Sequence, residues 1–206
     1  MALERELKFS LLDDYFPSKL ELEPVFKREG YRLMANGFHT QTDLYYDDAL
    51  ASLEKAGWAL RKRSLKGKTL ACLKHKGRQL GDVTEREEIE AEFQEPWPVA
   101  IQSKLLSITF RDLEPRLELS TERTSYRIFK DYKELALLGF DSVTAKEPGG
   151  KNSIRFSEAE LEARGETSNT TLESLAKLIN SVIPINPNSS HKLERALVLL
   201  SLSQTL

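Results

Sequence analysis

The first residues whose types and spacing suggest chemistry are Glu4, Glu6 and Lys8, which occupy alternate positions near the start of the chain. In a β-strand, alternate side chains share one face and lie about 6.5 Å apart along it. Two carboxylates at that separation repel by about 2.5 kcal/mol at an effective dielectric constant of about 20. A divalent cation or basic partners between them would remove the repulsion. A single pattern of this kind also fits an ordinary solvated strand face, so its recurrence matters.

The same alternation of charge recurs in four further predicted strands, over residues 58–63, 70–76, 84–93 and 154–163. Their basic residues on one face are Arg61, Arg63, Lys74, Lys76 and Arg86. Their acidic residues on one face are Glu88, Glu90, Glu158, Glu160 and Glu162. The opposite faces are largely apolar, which also fits a sheet with one solvated face. If the sheet instead closes into a barrel, the charged faces line a water-filled interior in which charges must balance.

A lumen lined in this way has a definite chemistry. Arg and Lys are the usual donors to phosphate oxygens, and the basic set is large enough for several phosphates. Glutamates suit hard divalent cations, and Mg²⁺ commonly takes one or two carboxylates together with phosphate oxygens. The combination favours a polyphosphate carried with metal over a monophosphate.

The pattern of apolar and turn-forming residues along the rest of the chain predicts the strands and helices that position these residues. Strands are also predicted over 3–9, 40–48, 117–129 and 133–143. Helices are predicted over 17–30, with a break at Pro24, and over 99–110, 170–182 and 190–202. The second-last helix has a capping-box pattern at 170–173, and residues 77–82 read as a loop. Strands dominate and helices lie between them and at the end, so we predict one α+β domain over residues 1–206, built on an antiparallel sheet.

Composition excludes several classes of function. The 206 residues are 40% hydrophobic and 30% charged, with a formal net charge of -2, so no overall field attracts nucleic acid or an anionic membrane. No apolar signal segment is evident at the start, and the longest apolar stretch is too short to span a bilayer. Cys72 is the single cysteine and is expected to be a buried small residue. A cytoplasmic protein that binds neither nucleic acid nor membrane is expected.

Motifs in order along the chain resemble those of the CYTH superfamily, the triphosphate tunnel metalloenzymes. Glu4-x-Glu6-x-Lys8 resembles its E-x-E-x-K signature, and Arg86-Glu87-Glu88-Ile89-Glu90 its R-x-E-x-E strand. The other matches are Tyr45-Tyr46-Asp47, Leu60-Arg61-Lys62-Arg63, Leu73-Lys74-His75-Lys76-Gly77, Arg123-Thr124-Ser125-Tyr126, Asp141, Glu158 to Glu162, and His191-Lys192-x-x-Arg195. His191 stands where the family more commonly has serine. Each motif is weak, but their shared order over nearly the whole chain is specific.

The resemblance implies an eight-stranded antiparallel β-barrel, or tunnel, with flanking and C-terminal helices. It implies Mg²⁺ or Mn²⁺ as cofactor, a catalytic set of Glu4, Glu6 and Lys8, and a triphosphate-bearing small molecule as partner. The implied metal ligands are Glu4, Glu6, Glu160 and Glu162, assisted by Asp141 or Glu158. The implied phosphate ligands are Lys8, Arg61, Arg63, Lys74, Lys76, Arg86, Arg123, Lys192 and Arg195. Glu88 and Glu90 would orient these cations or bind water.

Three functions remain open at this point. The first is metal-dependent hydrolysis of inorganic tripolyphosphate or of an organic triphosphate such as thiamine triphosphate. The second is a class IV-type adenylyl cyclase that makes cyclic AMP and pyrophosphate, because Gln41-x-Asp43-x-Tyr45 resembles that branch. The third is a non-catalytic module that binds polyphosphate or nucleotide, which the acidic set argues against. The chain is expected to be a monomer or a homodimer.

Overall fold

A computed structural model describes residues 2–11, 15–188 and 190–203 of the chain. The strands are β1 (Ala2–Leu11), β2 (Arg32–Asp47), β3 (Trp58–Leu65), β4 (Lys68–His75), β5 (Arg78–Leu80), β6 (Val83–Glu92), β7 (Glu114–Lys130), β8 (Lys133–Lys146), β9 (Ser153–Ala163) and β10 (Ile185–Pro187). The helices are α1 (Lys19–Arg28), α2 (Ser52–Lys55), α3 (Val99–Leu105), α4 (Asn169–Asn180) and α5 (Lys192–Ser203). Within these residues, no helix combines the length and apolar character needed to cross a membrane.

Eight of the strands form a closed antiparallel barrel. Their order is β1, β9, β8, β7, β2, β3, β4 and β6, and β6 then pairs with β1. Strand β1 closes the ring because its first half pairs with β6, from Ala2 to Glu6, and its second half with β9, from Glu6 to Ser10. The short strands β5 and β10 extend the sheet beside β6 and β1. The predicted eight-stranded α+β tunnel is therefore confirmed.

Four helices cover the outer face of the barrel. Leu22 and Phe26 of α1 pack with residues of α4 against the apolar side of β1, β7, β8 and β9. On the other side, α2 and α3 cover β3 and β4, where Leu60 and Leu73 are fully buried. Because side chains alternate along a strand, the residues between these apolar ones point into the barrel. Because the apolar faces of the strands are buried under the outer helices, the charged faces of the same strands point into the lumen.

The last helix, α5, packs against the inner face instead. The inner face of β7, β8 and β9 carries Arg123, Asp141 and Glu160 near its middle and apolar residues nearer one end. At that end, Ala196 and Leu200 of α5 pack against the apolar residues Leu117, Leu119, Val143, Ala145 and Phe156. The helix therefore covers the apolar end of the lumen and brings its first turn to the charged part.

Several predicted boundaries are wrong. Strand β2 begins at Arg32 rather than near residue 40, because residues 32–39 pair with the far half of β7, as at Arg32 and Phe129. The predicted loop at 77–82 contains β5. The N-cap of α4 is Ser168, whose hydroxyl accepts the Thr171 N–H, so the helix does not begin at a box over 170–173.

The predicted break at Pro24 is also wrong, since Pro24 lies inside a continuous α1. A proline removes one intrahelical hydrogen bond and normally disfavours such a position. Here the neighbouring Leu22 and Phe26 are fully buried against the barrel. Tertiary packing outweighs the local cost of the proline. The Ser18 N–H also donates to the Glu21 carboxylate at 2.8 Å, and this capping contact supports the first turn.

Candidate active site

A cavity of about 780 Å³ occupies the barrel lumen. Among the described residues, eight basic and eight acidic side chains line it. The basic ones are Lys8, Arg61, Arg63, Lys74, Lys76, Arg86, Arg123 and Lys192. The acidic ones are Glu4, Glu6, Glu54, Glu88, Glu90, Glu160, Glu162 and Glu194. The charged faces therefore line an interior with balanced charge, and they are not a solvated outer surface.

Three of the predicted site residues do not line this cavity. Arg195 stacks on the Phe156 ring, 4.5 Å from its centroid, and donates to the Ser157 carbonyl at 3.3 Å. Asp141 and Glu158 are buried in the barrel wall. Arg195 lies one helical turn beyond Lys192 and faces β9, where its Nη1 is 3.7 Å from Glu158, and its contact with phosphate stays a prediction.

Glu4 and Glu6 are held by basic side chains of β4, β6 and β1 itself. The Glu4 carboxylate accepts from Lys74 Nζ at 2.9 Å and from Arg86 Nε at 2.7 Å. Glu6 lies 2.5 Å from Arg86 Nη2 and 3.3 Å from Lys8 Nζ. Burial alone would raise the pKa of Glu4, but the charges of Lys74 and Arg86 outweigh it and hold that pKa well below its ordinary value.

Lys192 lies at the centre of a cage of carboxylates. Its Nζ is 2.8 Å from Asp141, 2.5 Å from Glu158 and 2.6 Å from Glu160. Burial would lower the pKa of Lys192, but the three acids raise it above its ordinary value. Burial raises the pKa of Glu158 and outweighs the nearby ammonium. The first residue of α5 is therefore the cation that this cage holds, and it fastens the helix to β8 and β9.

Arg123 completes that cluster from the neighbouring strand β7. Its Nε and Nη2 donate to the two Asp141 oxygens at 2.6 and 2.5 Å, and Nη2 also contacts Glu160. Burial alone would raise the pKa of Glu160, but the charges of Lys192 and Arg123 outweigh it and bring that pKa well below its ordinary value. Arg123 and Lys192 are thus both ion-paired with buried carboxylates.

Asp43 is a fully buried residue of β2 that contacts two lumen arginines and was not among the predicted site residues. It accepts from Arg63 Nε at 2.7 Å and Nη2 at 2.9 Å, and Arg61 Nη1 lies 3.7 Å away. Arg61 also donates to the Tyr45 hydroxyl at 3.4 Å. Burial opposes ionisation, but Arg61 and Arg63 lower the pKa of Asp43 to about 2. The alternation Gln41-x-Asp43-x-Tyr45 was the signal, since it places these residues on one face of β2.

Cys72 is buried, as predicted, but it lies on the lumen side of β4. Its thiol donates to Glu88 at 2.9 Å, and Glu88 also lies 3.1 Å from Lys74 Nζ. Burial raises the pKa of Cys72 to about 11, so the thiol stays protonated at neutral pH. Glu88 thus contacts both Cys72 and Lys74 on the lumen face of β4.

His191, just before α5, is a second residue whose place was not foreseen. Its Nδ1 is 2.9 Å from Arg86 Nη1, and its Nε2 is 3.0 Å from the Lys76 carbonyl oxygen. Burial, reinforced by the charges of Lys8 and Arg86, lowers the pKa of His191 to about 3. The ring is therefore neutral at physiological pH and joins α5 to the wall of the lumen.

The acidic residues on β1 and β9 fit a hard divalent cation. Pairing of the two strands sets Glu6 opposite Glu162 and Lys8 opposite Glu160. Burial raises the pKa of Glu162, and the charges of Glu4 and Glu6 add to this effect against the opposing charge of Arg164. A divalent cation would offset the repulsion between these like charges, and carboxylate oxygens are donors that Mg²⁺ and Mn²⁺ prefer.

Comparisons with known proteins agree with this architecture. A proposed adenylyl cyclase from Hippeastrum with a dominant triphosphatase activity is 19% identical, with a TM-score of 0.58 over 92% of this chain and 93% of that chain. A proposed adenylate cyclase from Bacillus halodurans is 19% identical, with a TM-score of 0.58 over 95% and 98% of the two chains. The protein PH1819 from Pyrococcus horikoshii is 22% identical, with a TM-score of 0.54 over 96% and 99%.

At these identities the solved structures show the shared fold. No curated protein matches the chain. The CYTH domain family matches over residues 2–197, which is nearly the whole chain. The chain therefore belongs to the CYTH domain family.

Proposed function

We propose that the protein is a divalent-metal-dependent triphosphatase, which hydrolyses tripolyphosphate or an organic triphosphate inside the barrel. The observation that carries the proposal is the closed lumen, in which an acidic wall on β1 and β9 faces basic residues from β3, β4 and β6. Family membership and the structural neighbours support an enzyme of this superfamily. The substrate and the reaction are our proposal.

Charge balance favours a substrate that carries metal. Because opposite charges already balance in the lumen, a bare triphosphate would leave a large uncompensated negative charge in a confined space. A triphosphate with divalent cations adds little net charge. The carboxylates Glu4, Glu6, Glu160 and Glu162 would hold Mg²⁺ or Mn²⁺, which supplies Lewis-acid polarisation of phosphate oxygens when bound.

The basic residues have different tasks in this proposal. Lys76 lines the lumen and has no ion pair with any described residue, so its ammonium is available to a phosphate oxygen. Lys8, Arg61 and Lys74 have carboxylate partners from which they can turn partly towards phosphate. Arg86 uses its nitrogens on Glu4, Glu6 and His191, and therefore orients the carboxylates. Positioning and charge stabilisation of this kind are the main work of phosphoryl-transfer sites.

A product assay tests the proposal. The protein is incubated with tripolyphosphate, thiamine triphosphate or ATP, each with Mg²⁺ or Mn²⁺, and the products are separated by ion-exchange chromatography. Orthophosphate with the matching diphosphate product supports the triphosphatase. Binding without turnover on all three substrates would reject it in favour of a binding module.

Adenylyl cyclisation is the second candidate. Gln41, Asp43 and Tyr45 share the lumen face of β2, and Gln41 donates to Asp43 at 3.2 Å. A further cavity of about 480 Å³ adjoins the lumen and shares Tyr45 and Trp58 with it, which leaves room for an organic group beside the phosphates. Cyclic AMP and pyrophosphate from ATP in the same assay would establish this reaction instead.

A further inference from the structure

Arg86 is the link between the two acidic residues at the start of the chain and the last helix. Its Nε donates to Glu4 at 2.7 Å and its Nη2 lies 2.5 Å from Glu6. Its third nitrogen, Nη1, lies 2.9 Å from His191 Nδ1. Arg86 is only 6% exposed. All three nitrogens of one buried guanidinium are therefore engaged, and the orientation of the guanidinium sets where both carboxylates lie.

The two contacts of His191 define its protonation state. A guanidinium donates hydrogen bonds and accepts none, so Nδ1 must accept from Arg86. A backbone carbonyl only accepts, so Nε2 must carry the proton that is donated to Lys76 at 3.0 Å. The ring is thus held as the neutral Nε2–H tautomer, and its low pKa agrees with this geometry.

We propose that His191 is a positioning residue for the metal-binding carboxylates, acting through Arg86. The proposal rests on the triphosphatase function proposed above, because it assigns the carboxylates Glu4 and Glu6 to a divalent cation. His191 fixes the rotation of the Arg86 guanidinium by accepting its third hydrogen bond, and Arg86 in turn fixes Glu4 and Glu6. The donation to Lys76 holds the ring in the tautomer that can accept. Substitution of residues that orient metal ligands in this way typically costs roughly 10- to 100-fold in metal affinity or activity.

Two substitutions separate this role from a merely structural one. In His191→Asn, the amide oxygen lies near the position of Nδ1 and can still accept from Arg86, but the side chain is too short for Lys76. In His191→Gln, the amide nitrogen lies near the position of Nε2 and can still donate to Lys76, but no acceptor faces Arg86. Ser190→Ala, at the neighbouring position, is the matched control.

The measurement is the affinity for Mn²⁺ alone, by titration calorimetry on the full chain without triphosphate. We expect His191→Gln to weaken Mn²⁺ binding roughly 10- to 100-fold. His191→Asn and Ser190→Ala should bind Mn²⁺ like the wild type. Circular dichroism and melting temperature check that each variant is folded. Strong weakening in His191→Asn with normal binding in His191→Gln would instead assign His191 to anchoring α5 and overturn the proposal, as would unchanged binding in both.

A measurement without metal completes the test. Nitrogen-15 NMR of the histidine rings at neutral pH should show His191 with a protonated Nε2 and an unprotonated Nδ1. The opposite tautomer or a charged ring would overturn the proposal, whatever the metal affinities. If the wild type binds no Mn²⁺ and turns over no triphosphate, the proposed function itself fails. If it does both and the two histidine variants are normal, only the role of His191 fails.

Discussion

At the scale of single residues, the basic side chains of the lumen fall into two groups. Seven of the eight described above lie within ion-pair distance of a carboxylate among the described residues, and Lys76 does not. An ammonium that is already paired must exchange partners to bind phosphate, whereas Lys76 needs no such exchange. Arg195 does not line the lumen cavity.

This difference predicts that one substitution raises the KM for tripolyphosphate and that another leaves it unchanged. Lys76→Met should raise the KM for tripolyphosphate roughly 10- to 150-fold, since a charged hydrogen bond contributes roughly 1.5–3 kcal/mol. Arg195→Met should leave this KM unchanged, although the sequence motif groups Arg195 with the phosphate ligands. Steady-state kinetics at saturating Mg²⁺ measure both constants. A raised KM in Arg195→Met alone would contradict the geometry described here.

The second prediction at this scale concerns the role of Glu4 in metal-dependent turnover. Glu4→Gln removes one negative charge from the predicted metal site and leaves Lys74 and Arg86 with a neutral partner. We expect metal-dependent turnover to fall at least about tenfold, as for disrupted metal sites. Glu87→Gln changes an exposed glutamate on β6, which pairs with β1 at Leu3, and should have no effect. Circular dichroism establishes that the fold is kept, and wild-type turnover in Glu4→Gln would refute the metal role.

At the scale of elements, the turn from β4 into β5 brings Lys76 and Arg86 together. Gly77 adopts φ +81°, and a Cβ there would lie 2.5 Å from the Glu85 carbonyl oxygen and 2.7 Å from Arg86 Cβ. Any side chain at position 77 would therefore displace the β6 backbone at the residues that position Arg86. Glycine is required here both by the positive φ and by the close approach of backbone.

Two glycine substitutions test this. Gly67→Ala, at φ +76° with no atom within 4 Å of the added Cβ, should cost only backbone strain, about 1–2 kcal/mol. Gly77→Ala adds a clash with backbone and should cost about 1–3 kcal/mol more. Urea unfolding gives both free energies. Equal costs in the two variants would show that β6 can move away freely.

The contact between α5 and the lumen wall predicts a dependence of stability on pH. The ordinary pKa of histidine is 6.5, and that of His191 is about 3 in the folded chain. Between these values the unfolded chain binds a proton that the folded chain does not, so stability is full above pH 6.5 and falls as pH decreases. Between pH 6.5 and pH 3, the free energy of unfolding falls by up to about 1.4 kcal/mol per pH unit for one such group.

This contribution is measured by difference. The free energy of unfolding is determined in urea at neutral pH and near pH 5 for the wild type and for His191→Gln. The variant lacks the titrating ring, so its stability should fall less on acidification. Parallel pH dependences in the two proteins would contradict a neutral, buried His191.

At the scale of the whole molecule, a closed barrel with balanced internal charge should respond to substrate and metal together. Ligand that binds only the folded state raises the unfolding free energy by about 2.7 kcal/mol at a hundredfold excess over its Kd. We expect this stabilisation with tripolyphosphate and Mg²⁺ together and much less with either alone. Chelation with EDTA should also abolish hydrolysis, and added Mg²⁺ or Mn²⁺ should restore it. Full stabilisation and turnover in EDTA would contradict a metal requirement.

The sequence by itself determined which side chains share a face. Alternation is a local property with a period of two, so Glu4, Glu6 and Lys8, or Lys74 and Lys76, could be assigned to one face before any partner was known. The order of the motifs then indicated the closed barrel, and the lumen contains all but Asp141, Glu158 and Arg195 of the predicted site residues.

Only the tertiary structure decided the partners. Lys74 meets Glu4 seventy positions away, and His191 meets Arg86 across a separation of 105 residues. Such contacts depend on strand register and on where α5 packs, which no local pattern encodes. The sequence predicted α5 as a C-terminal helix, but its apolar residues fit the outside of a barrel as well as the inside. The helix packs against the apolar end of the inner face, and this placement brings Lys192 within ion-pair distance of Asp141, Glu158 and Glu160.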